Sequence, residues 1–175
     1  SKTLQLEFDW SAHRRLDIRA AYRWVDAQTE YSDLLPQGET MRDPFVATHR
    51  AFTQWSYASR EGKEGQQTRV DATLQWIGNQ SLPQPLESAS DIDFHPAESP
   101  SFTQLNLQVS QTLPGALELY VGVENLLNVK QDSPIVGAAY PDEFNRNFDA
   151  SLVYGPIFGR MTYAGLRWTL GEKKG

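Results

Sequence analysis

The stretch Arg160-Met161-Thr162-Tyr163-Ala164-Gly165-Leu166-Arg167-Trp168-Thr169-Leu170 sorts its side chains by parity. In an extended chain Thr162, Ala164, Leu166, Trp168 and Leu170 point one way, and Met161, Tyr163, Gly165, Arg167 and Thr169 the other. One set is apolar apart from a threonine, and the other carries an arginine. Such a strand fits a sheet with lipid or core on one side and water on the other. Helical periodicity would not produce it.

The pattern recurs in about seven stretches. Leu4, Leu6, Phe8 and Trp10 alternate with Gln5, Glu7 and Asp9. Leu16, Ile18, Ala20, Tyr22 and Trp24 oppose Asp17, Arg19, Ala21, Arg23 and Val25. Ala51, Thr53, Trp55 and Tyr57 form a third set, with the least distinct facing, and Val70, Ala72, Leu74 and Trp76 a fourth. Leu105, Leu107 and Val109, then Leu117, Leu119, Val121 and Val123, supply two more before the closing strand.

Connection lengths discriminate among all-β architectures. The turns at 11–15, 59–67 and 113–116 are short, and Pro114-Gly115 is a strong turn signal. Between them lie 26–48, 78–100 and 128–159, all longer than ordinary hairpin loops. Strict alternation of short and long connections predicts a meander with one short-turn end and one long-loop end, as in outer-membrane barrels. Trp10, Tyr57 and Trp168 fall at the short-turn end, and Trp24 and Trp76 at the long-loop end. That is where lipid-interface aromatics belong. From Leu16 to Trp24 is nine residues, within the roughly 9–11 needed for a tilted strand to cross a bilayer.

Composition narrows the function classes. A net charge of -6, from 22 acidic and 16 basic residues, disfavours a nucleic-acid partner. Cysteine is absent, which removes disulfides, thiol nucleophiles and cysteine metal sites. No apolar run reaches the eighteen or so residues of a membrane helix, a criterion that transmembrane strands do not have to meet. The first residues already read as strand, without a signal peptide's positive start and apolar run.

At Tyr120-Val121-Gly122-Val123-Glu124-Asn125-Leu126-Leu127-Asn128 the chain resembles the penultimate strand of TonB-dependent outer-membrane receptors, which often carries a Glu-Asn-Leu-x-Asn-like sequence. Phe148-Asp149-Ala150-Ser151 and Gly155-Pro156-Ile157-Phe158-Gly159-Arg160 then lead into the closing strand, as in the C-terminal barrel region of such receptors, most closely those of Bacteroidetes type. The likeness is strongest over 101–170. It implies part of a twenty-two-stranded barrel plugged by an N-terminal domain. It also implies uptake of a scarce solute, such as a siderophore-type metal chelate or cobalamin, powered by TonB through the plug. The chain departs from the family in lacking the plug, a TonB-contacting segment and about two thirds of the strands. The expected fold is therefore an all-β, antiparallel, up-and-down transmembrane β-barrel segment over 1–170. A polar tail follows at 171–175. The expected partners are the outer-membrane bilayer, the plug and the remaining strands.

In that architecture Arg19, Arg23, Arg69, Asp71, Glu118 and Glu124 face the lumen, where they contact the plug, each other or the solute. Asp17 shares that face. Glu124 and Asn125 are expected to fix the strand's exit into the last loop. Tyr31, Phe45, Phe94, Tyr140, Phe144 and Phe148 lie on long loops, where aromatics either grip a ligand or pack loops together. His13, His49 and His95 have no ligand spacing and read as solvated, so no metal is expected. No nucleophile elbow or phosphate-binding glycine loop appears, so neither enzymatic activity nor a cofactor is expected. The competing architecture is a secreted β-sandwich module that binds glycans through loop aromatics and buries Trp24, Trp76 and Trp168.

Overall fold

The computed structural model describes residues 1–30, 40–83, 96–135 and 150–170. Their strands are β1 (Lys2–His13), β2 (Leu16–Asp26), β3 (Gln28–Glu30), β4 (Thr40–Arg42), β5 (His49–Ala58), β6 (Gln67–Ile77), β7 (Phe102–Leu113), β8 (Leu117–Glu124) and β9 (Met161–Trp168). Seven of them form one antiparallel sheet in the order β1-β2-β5-β6-β7-β8-β9, while β3 and β4 form a separate ribbon. The chain is all-β and its main sheet is a meander. That sheet is open, with β1 and β9 as its edges. No described helix is long and apolar enough to cross a membrane.

The sequence pattern places the strands well but misses the ribbon. Residues 26–48 read as a loop, whereas β3 continues the line of β2 beyond the sheet and returns through β4. Thr29 Oγ1 donates to Asp43 Oδ1 at 2.6 Å and Thr40 Oγ1 to Gln28 Oε1 at 2.9 Å, so side chains reinforce this short ladder. At the other end, β1 and β2 meet in a tight turn at Arg14 and Arg15. The register shifts between Ser11 and His13, as a β-bulge requires.

Register fixes the two faces, because residues directly opposite one another share a side. One row runs Trp10, Ile18, Trp55, Ala72, Leu107, Val123, Thr162. The next runs Leu16, Tyr57, Val70, Val109, Val121, Ala164. This apolar face crosses all seven strands and includes the third set, whose facing was least distinct in sequence. The strands contact chiefly their ladder neighbours. With no second described layer, Leu6 stays 60% exposed and Leu166 68%.

The rows also reveal a slope. The row of Trp10 meets β5 at Trp55, and Tyr57 lies two residues nearer the short-turn end, two strands away from β1. The same row meets β9 at Thr162, and Trp168 lies six residues nearer that end, six strands away. At the long-loop end Trp24 pairs with His49, the neighbour of Arg50, whose partner is Ile77. The row therefore reaches β6 at residue 78, and Trp76 lies two residues nearer the short-turn end, two strands from β2. Both sets of aromatics advance one residue per strand. With about 3.3 Å per residue and about 4.8 Å between strands, each line is inclined by about 35° to the hydrogen-bond direction. On β6 the first line passes Arg69 and the second Trp76, so about 23 Å of strand separates them. Trp55 lies between the lines.

The opposite face closes around β8 and β9 by a reciprocal device. Tyr163 lies over Gly122, and Tyr120 over Gly165, so that a Cβ on either glycine would collide with the ring. The rings are 6.3 Å apart, and Tyr163 donates its hydroxyl to Gln108 Oε1 at 2.9 Å. Covering a strand glycine with a cross-strand aromatic offsets the packing it lacks. Gly122→Ala is expected to destabilise the fold by about 1–2 kcal/mol by displacing the ring and its hydrogen bond. In a Tyr163→Ala background the same change becomes neutral or stabilising, since alanine orders a strand at lower entropic cost than glycine. Denaturant unfolding of the double-mutant cycle checks this, and additive effects refute the lock.

Candidate functional site: the polar face and the long-loop stems

All six polar side chains singled out from sequence occupy the face opposite the apolar rows. Arg19 Nε reaches Asp9 Oδ1 at 2.6 Å. Asp71 accepts from Ser56 Oγ at 2.6 Å, and Asp17 from Ser11 Oγ at 2.7 Å, giving two hydrogen-bonded pairs along one row of the register across β1, β2, β5 and β6. Arg69 donates to Gln67 Oε1 at 3.1 Å. Glu118 lies 3.5 Å from Arg167 of β9. Glu124 ends the β8–β9 ladder opposite Met161 and is exposed. Arg23 faces a different neighbour. Its direct partner is Arg50, which sequence reasoning did not single out because only register brings the two together.

Of the loop aromatics, Phe45 alone lies within the described residues; Tyr31, Phe94, Tyr140, Phe144 and Phe148 lie outside them, as does the tail 171–175. Phe45 is half-buried, has φ 61° and donates its backbone N–H to Ser81 O at 2.9 Å, so it belongs to a loop stem. Trp10, Tyr57, Trp76 and Trp168 are exposed, and Trp24 is half-buried. The Trp168 indole donates to Gly115 O at 3.2 Å, anchoring the last strand to the β7–β8 turn.

His13 is exposed and His95 lies outside the described residues. His49 departs from expectation: it is the first residue of β5, and its Nδ1 lies 2.6 Å from the Tyr22 hydroxyl. Strand pairing gives it a fixed partner where a solvated histidine was expected. Among the described residues no three His, Cys, Asp or Glu side chains converge as metal ligands.

Of the buried polar residues, Gln80, Ser99 and Asn125 sit at the long-loop end, where three connections are tied together, and Ser110 lies within β7. Gln80, at 4% exposure, donates its backbone N–H to Ser99 Oγ and its side-chain amide to Tyr154 O, both at 3.0 Å. The bridge Ala47–Gln80 joins the loops before β5 and before β7, Ser81–Glu98 pairs the two arms of the latter, and Arg42 meets Glu98 at 3.7 Å. Gln131 donates to Leu152 O at 2.7 Å and accepts from the backbone N–H groups of Tyr154 and Gly155. Leu152 is buried beside it. Burial raises the Tyr154 phenol above its ordinary pKa, and the charge of Asp132 adds to the effect.

Asn125 has the stem role expected of it. It is 4% exposed with φ 49°. Its amide donates to Val129 O at 2.7 Å and Phe158 O at 3.2 Å, its Oδ1 accepts from Val129 N at 3.0 Å, and its own N–H donates to Asn106 Oδ1. Asn128, with φ 57°, accepts from Arg160 N at 3.0 Å, and Gly159 leaves room for its carbonyl. The motif's two asparagines therefore close the stem of the last loop from both sides. The Arg160 guanidinium completes the closure on Leu126 O. Chemically, the region offers a hydrogen-bonded loop base above a charged strand face. No protein-family model, curated protein or solved structure matches the chain.

Proposed function

We propose that this chain is wall and loop base of a TonB-dependent outer-membrane receptor that takes up a scarce solute, such as a siderophore-bound metal or cobalamin. The carrying observation is the pair of parallel aromatic lines on the apolar face. A strand inclined about 35° to the perpendicular of those lines has the tilt of outer-membrane barrel strands, about 35–45°. The lines lie about 19 Å apart along that perpendicular, which approaches the roughly 25 Å apolar band once the rings extend outward. A sandwich has no reason to space tryptophans by strand number. Segregation of long loops to one end supports the same reading, as does the uncovered apolar face. The open edges β1 and β9 call for further strands, because unpaired backbone does not persist in lipid.

The receptor assignment within that class rests on the resemblance at 120–128 and 155–160. In it the extracellular loops capture the solute, the plug rearranges when TonB pulls, and the solute passes along the polar face. No catalytic step is assigned to this segment. The test is the intact mass of the protein extracted from membranes with detergent. A mass several times 19.8 kDa, or a tightly held partner chain, is expected. A water-soluble monomer of 19.8 kDa would overturn the proposal.

A further inference from the structure

We propose that Arg23 and Arg50 form an oxyanion site that binds a carboxylate group. The two lie directly opposite each other in the β2–β5 ladder and on the same polar face. Like charges so placed are destabilising unless something answers them. The other polar-face arginines have partners: Arg19 pairs with Asp9 and Arg167 with Glu118, and Arg69 donates to the neutral amide of Gln67. Among the described residues, neither Arg23 nor Arg50 makes an ion pair or side-chain hydrogen bond. The nearest acidic group by register is Glu7, one pair along β1, and it accepts the Gln5 amide instead.

Around the pair the surface is shaped to receive an anion. Arg23, Arg50, Gln5 and Gln75 line a cavity of about 240 Å³ with Phe52 on its wall. Two guanidinium forks can each present paired N–H groups to a planar carboxylate, and the adjacent ring limits competing water. The volume falls below the roughly 300–1,000 Å³ of pockets that enclose a whole ligand. It suits one carboxylate-bearing arm of a larger molecule. That arm belongs either to a solute or to an Asp or Glu side chain of the protein's own chain. The site needs the polar face and not the bilayer, so its failure leaves the wall reading standing.

Citrate is the probe, titrated calorimetrically into the intact protein in detergent at low ionic strength. If the arm is a solute's, citrate binds and is weakened at least about tenfold by Arg23→Gln or Arg50→Gln, the loss of one charge-assisted contact. Arg60→Gln, in an exposed turn, leaves it unchanged. If the arm is the protein's own, citrate does not bind, yet both Gln variants unfold at lower denaturant concentration, by an amount that shrinks in high salt. Arg23→Lys and Arg50→Lys then recover part of the loss. Citrate binding that all variants share would overturn the proposal. So would the absence of citrate binding together with variants as stable as the parent or more so, because unanswered repulsion would then be all the pair contributes.

Discussion

Leu107→Arg is expected to cost about 2–4 kcal/mol when the protein is unfolded from lipid vesicles, the penalty for a cation at a barrel's lipid-facing midplane. Leu107 stands opposite Ala72 and Val123 on the apolar face. At the slope of one residue per strand, the two aromatic lines cross β7 at Gln104 and Gln111, and Leu107 falls midway. On β8 the short-turn line passes Glu118, which on the proposed bilayer reading puts Leu119 at the interface. Leu119→Arg should therefore cost only about 0–1 kcal/mol, because a long side chain there reaches water. Thr73→Arg, on the polar face opposite Gln54 and Asn106, should stay within about 0.5 kcal/mol. The informative quantity is the depth dependence. A buried sandwich face would penalise Leu107 and Leu119 according to packing alone. Equal costs at the two leucines, or no cost with Leu107 open to water, would sink the bilayer reading.

What sequence could foretell follows from what is periodic. Period-two alternation marks seven strands and sorts Leu107 from Gln108 without any structure. The sharp contrast between connection lengths likewise assigns Trp24 and Trp76 to one end and Trp10, Tyr57 and Trp168 to the other. The β3–β4 ribbon escaped notice because Gln28-Thr29-Glu30 and Thr40-Met41-Arg42 are too short and too polar for alternation to register. Arg50 was missed for a different reason. Its significance is a cross-strand relation to Arg23, twenty-seven positions away, which depends on register through a connection of irregular length. Gln80 and Gln131 look like surface amides in sequence, and only their enclosure by Tyr154 and Leu152 turns them into ties between loops. Long-range backbone partners leave no trace in a single chain's pattern.

Asn125→Ala is expected to cost about 3 kcal/mol, because it strands three backbone groups at once. Val129 N–H loses its acceptor, and the carbonyls of Val129 and Phe158 lose their donor. Asn125 itself is 4% exposed, so its amide makes these bonds from a buried position. The backbone adds to this, since φ 49° is tolerated by asparagine and disfavoured by alanine by about 1 kcal/mol. Asn125→Gly separates the terms: it relieves the dihedral and leaves the lost hydrogen bonds, so it should be less damaging than alanine by about that amount. Asn125→Asp keeps the acceptor for Val129 N–H but turns a second oxygen toward two carbonyls. Protonation restores one donor, so this variant should recover stability on acidification, whereas Asn125→Ala should not. Hydrogen exchange at Val129, with denaturant unfolding beside it, reads both the local and the global loss. If Asn125→Ala unfolds like the parent and Val129 stays protected, the asparagine does not hold the stem. Its place beside Glu124 would then have to be explained by contacts the last loop makes with a ligand.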